Sequence, residues 1–591
     1  MSHPISTKRH SLAHLMAQAV KSIYPDAKMA IGPDIETGFY YDFDFGDVAI
    51  NDESLKEIEK KVKNLIKQNQ KFEAYKLPVA EAVAFLKSKN EPYKVEMAED
   101  LAAKGETEIG FYKNIAQNGT ETFVDMCRGP HVEKTSELDE NAFKLDKVAG
   151  AYWKGDAANK QLTRIYAFAF DTREELDAHL HMLSEAKKRD HRVLGSKLKL
   201  FTISQLVGSG LPLIQPNGMV VRKAIEDYLW ELHKDKGYLR VCTPHLAKED
   251  LYVTSGHAGH YLEDMFSVYG GTSKEKFHLK PMNCPHHMQI FADNQFSYRD
   301  MPIRYFEPAT VYRDEKTGQL SGLTRVRSIT QDDGHLFCRV GQIRSEVSTI
   351  VSVIKSFYTT MGLMEGYWVS LSVRGEDRSK YLGGDEVWNT AEGALEAAAQ
   401  ENGLNYKRVE GEAAFYGPKL DFMFKDAIGR EWQLATIQCD FNLPERFDLS
   451  FVNEKGEKER PVVIHRAIAG SLERFMGIAI EHFAGDFPLW MAPKQVRILP
   501  VSENFMAYAD EVFATCKKAG LRVELDSSSD GLGKKIRNAE TDHVNYALVI
   551  GEKEVTDKTV SVRSRKTGEQ TVMSVDEFVA KLQEEVSTRS L

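Results

Sequence analysis

Apolar residues recur with a helical period in RHSLAHLMAQAVKSIYP at 9–25, in the charge-rich TREELDAHLHMLSEAKKRDHRVLGSKLKL at 172–200, and again at about 220–236. In the last run Val221, Ile225, Leu229 and Leu232 share one stripe, the pattern of a helix burying one face. β-Rich runs follow: RYFEPATVYR (304–313) and LTRVRSITQ (323–331) flank KTGQLSG, whose two glycines and lack of apolar spacing predict a loop. That strand–loop–strand unit puts Arg313 and Glu315 on one strand face and sends Arg325 from the neighbouring strand toward the same space. Planar guanidinium groups suit a phosphate or a carboxylate. An ordinary surface hairpin with cross-strand ion pairs carries the same residues. From Gln495 onward strands and helices alternate through YALVIG, which predicts a small open α/β domain with a largely parallel sheet.

Size and charge narrow the class. A chain of 591 residues is too long for one core, so about three or four domains are expected. The 42% apolar and 28% charged content is that of a globular protein, and the net charge of −10 argues against coating nucleic acid through an overall field. Cys127, Cys242, Cys284, Cys338, Cys439 and Cys516 form no CxxC pair, which fits a reducing compartment. No apolar run approaches the ~18 residues of a membrane span, and the start lacks the apolar core of a secretory signal. A cytoplasmic location is expected, with no membrane partner.

Two sets of His and Cys stand out. His10 and His14, four apart on a helix, and Cys127 with His131 around a Gly-Pro turn are all acceptable metal ligands. HSLAH lacks the glutamate of a metalloprotease HExxH. A metal site, a polar water-activating cleft and plain structural histidines are equally open from spacing. Cys284, His335 and His465 are separated by 51 and 130 residues, which is no recognisable ligand spacing.

The wording of the 304–338 stretch, YRDE, a loop, then LTRVRSITQDDGHLF, resembles the second signature motif of class II aminoacyl-tRNA synthetases. Its QDDGH ending is similar to the threonyl family. HSLAH with DMCRGPH resembles that family's editing domain, the 220–244 run resembles the first class II motif, and RAIAGSLERFMGIAIEHF resembles the third. The resemblance implies an α+β multidomain chain: an α/β editing domain with linker helix at 1–190, a class II antiparallel-sheet catalytic domain at 191–492, and an α/β anticodon-binding domain at 493–591. Only nine residues precede His10, so the ubiquitin-like domain usual in relatives is expected to be absent.

The resemblance also implies roles. Cys284, His335 and His465 match zinc ligands, one ion per subunit. Arg313, Glu315, Arg325, Gln433, Thr436 and Arg474 match the ATP site with its Mg²⁺, and Gln331, Asp333, Tyr416 and Gln438 match the threonine site. Lys419 joins Arg313 and Arg474 in the catalytic set. His10, His14, Tyr41, Lys94, Asp125, Cys127 and His131 match the editing cleft, which in the threonyl branch works without a metal. Glu554 and Arg563 match anticodon contacts. Partners implied are tRNA(Thr), threonine, ATP and a second copy of the chain.

The two motif sets support each other physically. A site that must bind a hydroxyl rejects valine by ~10⁴ or more, but serine keeps the hydroxyl and lacks only a methyl worth ~1–3 kcal/mol, so a second hydrolytic site is needed. A prolyl-type sister enzyme is disfavoured by the Cys, His, His set. An inactive RNA-binding relative would be expected to lose Arg313, Arg325 or Arg474, and a free-standing hydrolase would need no ATP site.

Overall fold

The computed structural model describes residues 3–272 and 274–591. The chain forms two compact units, Met1–Ser184 and Glu185–Leu591.

In the first unit the helix Ile5–Ile23 is buried well beyond one stripe, with positions 11–20 all enclosed. It packs with the helix Asp52–Lys67 on an antiparallel sheet of Gly38–Asp44, Gln161–Ala169 and Phe143–Tyr152. Asn51 fixes the start of the second helix by accepting from Glu53 N and Ser54 N, a cap worth about 1 kcal/mol. A smaller antiparallel sheet, Lys71–Pro78, Glu108–Ile115 and Glu121–Met126, is backed by the helices Val79–Ser88 and Pro92–Ala103.

The second unit is built on an eight-stranded sheet. Its order is Tyr238–Arg240, Ile303–Tyr312, Ser328–Cys338, Val462–Ser471, Glu431–Asp440, Lys419–Lys425, Trp368–Val373, Tyr406–Glu410. Only the two edge pairings are parallel. Helices Pro216–Lys234, Ile343–Thr360 and Leu472–His482 bury their apolar stripes in the core behind this sheet.

Between strands, Arg466 is fully buried and donates to the Asp332 carboxylate at 2.7 Å, while Asp332 also accepts from Ile468 N and Ala469 N. The Arg466 guanidinium lies across residue 334, where a Cβ would sit 2.6 Å from its Nε. Glycine in QDDGH is therefore required by packing, since Arg466 is anchored and cannot swing away.

Three expectations need correction. The 172–200 segment is two helices, Arg173–Arg189 and His191–Lys197, broken where Asp190 caps the second by accepting from Arg192 N. The second β run starts only at Ser328, because Thr324 N and Arg325 N both turn back to Ser321 O. Arg325 thus sits in a turn, and Arg313 and Glu315 lie past the end of their strand. In the C-terminal sheet Val523–Leu525, Val496–Pro500 and Tyr546–Ile550 are parallel, but Thr559–Ser564 and Gln570–Ser574 join antiparallel.

Candidate functional site

Strand register converts distant residues into one row. Tyr305 faces His335, His335 faces His465, His465 faces Gln438, and Gln438 faces Lys419. Directly opposed residues on antiparallel strands share a face. The next rung, two residues along and so on the same face, holds Glu307, Asp333, Ala467, Thr436 and Asp421. The side chains of Asp332 and Asp333 therefore point to opposite faces: Asp332 is buried with Arg466, while Asp333 stays partly open and accepts from Asn283 Nδ2 at 3.0 Å. A bulge separates Gln331 from Asp333.

Cys284 opens the helix Cys284–Ala292 and comes down on this row. Its sulfur and one nitrogen each of His335 and His465 lie within 4.8 Å of one another. Burial pushes the Cys284 thiol well up and holds His335 well down, in its neutral, ligating form. The outer partners orient both rings. His465 Nε2 meets Asp440 at 2.9 Å, and His335 Nδ1 meets His287 Nδ1 at 2.8 Å. His287 Nε2 in turn meets Glu307 at 2.9 Å. Burial alone would raise the Glu307 carboxyl, but bonds from His287 and Thr243 and the Lys280 charge leave it below its usual range, an acceptor. His287 donates to the Glu307 carboxylate from Nε2 and meets His335 through the two Nδ1 atoms, which leaves His335 Nε2 outside that bond. One nitrogen of each ring thus remains for a metal, and the Cys, His, His donor set fits zinc with a position left open. His287→Leu should weaken zinc binding by about 10–100-fold in a chelator competition. An unchanged affinity would remove His287 from the site.

Along the wall, Asp421 collects three expected residues. Its Oδ1 accepts from Gln433 Nε2 at 2.8 Å and Thr436 Oγ1 at 2.9 Å, and its Oδ2 takes the Lys419 ammonium. Gln438 donates to Gly417 O at 3.2 Å, and the Tyr416 ring lies 5.7 Å from that of His465. Sequence reasoning missed Asp421, although in KLDF it stands two residues from Lys419 and so on the same strand face.

Arg313, Glu315 and Arg325 line one cleft with Asp264, Pro281 and Gln319. The Arg313 guanidinium has no hydrogen bond or ion pair among the described residues. Arg325 donates to Glu315 Oε2 from Nε at 3.0 Å and from Nη2 at 2.8 Å. Arg474 sits in the first turn of Leu472–His482, its guanidinium 5.4 Å from the Trp432 ring centre and its Nε buried with no hydrogen-bond partner among the described residues. Burial and then the Arg325 charge lower its basicity. An arginine in the first turn of a helix, and another lining a cleft without a counter-charge among the described residues, both suit a multiply charged anion.

In the first unit His10 Nε2 lies 2.8 Å from Cys127 Sγ, which lies 3.3 Å from His131 Nε2. Ser11 Oγ, which donates to Thr7 O, reaches His131 Nδ1 at 3.1 Å. Burial pushes Cys127 up to about 11 and lowers His10 and His131, so a thiol sits between neutral imidazoles. His14 stands behind them, edge-on to His131, Phe72 and Phe123, and burial lowers it to about 4. Beside this group Asp125 accepts from Tyr41 OH at 2.5 Å and pairs with Lys94 at 2.9 Å. These seven residues converge as two adjoining clusters, the first holding a trio with metal-ligand spacing, His10, Cys127 and His131.

Glu554 and Arg563 are engaged locally in the C-terminal region. Glu554 accepts from Gly551 N at 2.9 Å, capping Glu552–Asp557, and Arg563 pairs with Glu540 at 3.0 Å.

Comparison with known proteins places names beside these sites. Residues 266–483 match the tRNA synthetase class II core domain (G, H, P, S and T), 495–585 match an anticodon binding domain, and 114–166 match the threonyl and alanyl tRNA synthetase second additional domain. A threonine–tRNA ligase of Gloeobacter violaceus is 47% identical over 588 residues, 98% of this chain and 92% of the relative. The one from Clostridium tetani is 47% identical over 99% of this chain and 88% of its own length. The crystal structure of the RNA binding domain of threonyl-tRNA synthetase from Cryptosporidium parvum superposes with a TM-score of 0.64 at 38% identity, covering 67% of this chain and 98% of that one.

Proposed function

The chain belongs to the threonine–tRNA ligase family, and from that premise we propose that it activates threonine with ATP, transfers it to tRNA(Thr), and hydrolyses wrongly formed seryl-tRNA in its first unit. The observation that carries the reading is the cross-strand row joining Cys284, His335 and His465 to Gln438 and Lys419, together with the cleft lined by Arg313, whose guanidinium has no hydrogen bond or ion pair among the described residues.

Zinc held by Cys284, His335 and His465 would supply an open coordination position that favours amino acids carrying a side-chain hydroxyl. Asp333, on the next rung, accepts the substrate hydroxyl, with Gln331, Tyr416 and Gln438 shaping the rest of the threonine pocket. Arg313 neutralises the α-phosphate, Glu315 holds the adenine, and Arg325 and Arg474 take the terminal phosphates with Mg²⁺. Gln433 and Thr436, fixed by Asp421, line the nucleotide side, and Lys419 lies where the two substrates meet. The threonine carboxylate then attacks the α-phosphorus in line, forming threonyl-adenylate and releasing pyrophosphate, and the terminal ribose hydroxyl of the tRNA takes the acyl group, losing its proton as AMP departs. Positioning and charge neutralisation carry the rate. For Glu315 and Arg325 to serve separate parts of ATP their ion pair must open. Arg325 is half exposed, so that opening costs at most about 1 kcal/mol.

In the first unit His10, Cys127 and His131, with His14 behind them and the Lys94–Asp125–Tyr41 group alongside, are arranged to hold and polarise a water against an ester carbonyl. Glu554 and Arg563 read anticodon bases. A homodimer forms through the first class II motif: exposed Ile203, Val207, Leu213 and Met219, and Leu206 at 100% exposure, lie in and before the start of the Pro216–Lys234 helix. The six free cysteines suit a cytoplasmic setting, and no helix among the described residues is long and apolar enough to cross a membrane.

Amino-acid-dependent ATP–pyrophosphate exchange, measured with metal content, tests the reading. Strong turnover with threonine, measurable turnover with serine and negligible turnover with valine and proline is expected, with zinc bound. A metal-free preparation of full activity would sink the proposed zinc role, and preference for proline would sink the substrate.

A further inference from the structure

We propose that His191 is a positioning residue for the nucleotide loop: fixed by Glu481, its imidazole holds the turn at residues 321–325 and so sets Arg325 over the phosphate cleft. The inference rests on the ligase reading above. His191 begins the helix His191–Lys197 and is buried. Its Nδ1 lies 2.6 Å from Glu481 Oε1, which also accepts from His191 N at 3.0 Å. On the other side Leu323 N donates to His191 Nε2 at 3.0 Å. A carboxylate accepts and a backbone N–H donates, so one form of the ring satisfies both neighbours: neutral, with its proton on Nδ1.

The turn is fitted to this ring. Thr324 N and Arg325 N close back on Ser321 O at 2.9 and 3.1 Å, and Leu323 is fully buried although Arg325 two residues on is half exposed. Gly322 has φ of +48°, and a Cβ there would fall 2.1 Å from His191 Nε2. Behind Leu323, a Cβ on Gly477 would lie 3.3 Å from the Leu323 Cβ, so the helix carrying Arg474 also approaches closely. The second oxygen of Glu481 takes Arg430, whose Nε donates to Asp426 at 2.8 Å. Asp426 accepts from Trp432 Nε1 at 2.9 Å, and the Trp432 ring lies beside Arg474. One carboxylate therefore ties the Arg325 loop to the platform under Arg474. Asp190, His191 and Glu481 have the spacing of a metal site, but both His191 nitrogens are committed and Asp190 is held by Arg192.

The test is threonine-dependent ATP–pyrophosphate exchange on the full chain, with KM measured separately for ATP and threonine in His191→Leu, His191→Gln and Gly322→Ala. Losing the bond to the loop backbone should raise KM for ATP about five- to tenfold in His191→Leu, with KM for threonine nearly unchanged. Gln, whose carboxamide oxygen still accepts from Leu323 N, should recover part of that loss. Gly322→Ala, which pushes the turn off an intact His191, should show the same ATP-selective defect and decides the matter if His191→Leu does not fold. Wild-type KM for ATP in both His191→Leu and Gly322→Ala overturns the proposal, as does an equal rise for both substrates with Gln no better than Leu. Absence of exchange in the unmodified protein overturns the ligase reading instead.

Discussion

Arg313→Ala lowers threonine-dependent ATP–pyrophosphate exchange by about 10²–10³-fold or more, the scale seen when one preorganised donor to a developing negative charge is removed. The same protein should unfold within about 0.5 kcal/mol of wild type, because the Arg313 guanidinium has no hydrogen bond or ion pair to lose among the described residues. That combination separates a working arginine from a structural one. Arg466 makes the contrast: fully buried against Asp332, its loss would leave a carboxylate unpaired in the core. Arg313→Lys restores a point charge without the fork, so partial recovery of exchange is expected. Near-normal exchange in Arg313→Ala would remove this residue from the reaction and with it the reading of the cleft.

Lys94→Met destabilises the first unit by about 3–5 kcal/mol, the cost of leaving one member of a buried ion pair alone. Both side chains are enclosed, Lys94 at 4% and Asp125 at 5% exposure, and the ammonium also donates to Met126 O at 3.3 Å. The double change Lys94→Met with Asp125→Leu should recover much of that stability, since no charge is then stranded. Hydrolysis of seryl-tRNA should fail in both variants, while threonine-dependent exchange, which the second unit performs, continues. Calorimetric unfolding with the two assays run side by side reads each part. A single variant as stable as wild type would show that the Lys94–Asp125 pair contributes nothing, and unimpaired hydrolysis would exclude Lys94 from the cleft.

Much of the architecture was legible because it follows local periodicity. The helix expected near 220–236 is Pro216–Lys234, and the 304–313 run is the strand Ile303–Tyr312. Arg474 lies in the first turn of its helix as the third-motif reading requires. Turn geometry was harder. Arg325 reads as a strand residue because Val326 and Ile329 supply β character, yet the bonds from Thr324 N and Arg325 N to Ser321 O fold the segment back. Asp190 looks like one more charged residue of a long helix, and only its side-chain bond to Arg192 N marks the break. The antiparallel half of the C-terminal sheet was missed for a similar reason, since strand direction depends on which neighbour is joined and not on composition.

The candidate sites divide along the same line. That Cys284, His335 and His465 belong together came from resemblance, and their spacing of 51 and 130 residues carried no signal by itself. Strand register is what makes His335 and His465 immediate neighbours. The partners that orient them, His287 with Glu307 and separately Asp440, were invisible beforehand because each is an isolated residue whose role exists only through a contact. The same holds for Asp421 and His191.

The order of residues by itself determined the elements, the family likeness and the chemical kinds present: guanidinium groups suited to phosphate, and two sets of Cys and His whose roles spacing alone left open. These are properties of short stretches, set by backbone preference and side-chain type. Which nitrogen stays outside a bond, which arginine lacks a counter-charge among the described residues and which glycine admits a neighbour were decided only when strands and helices met. Such properties arise from distances between segments remote along the chain, and local periodicity contains no term for them.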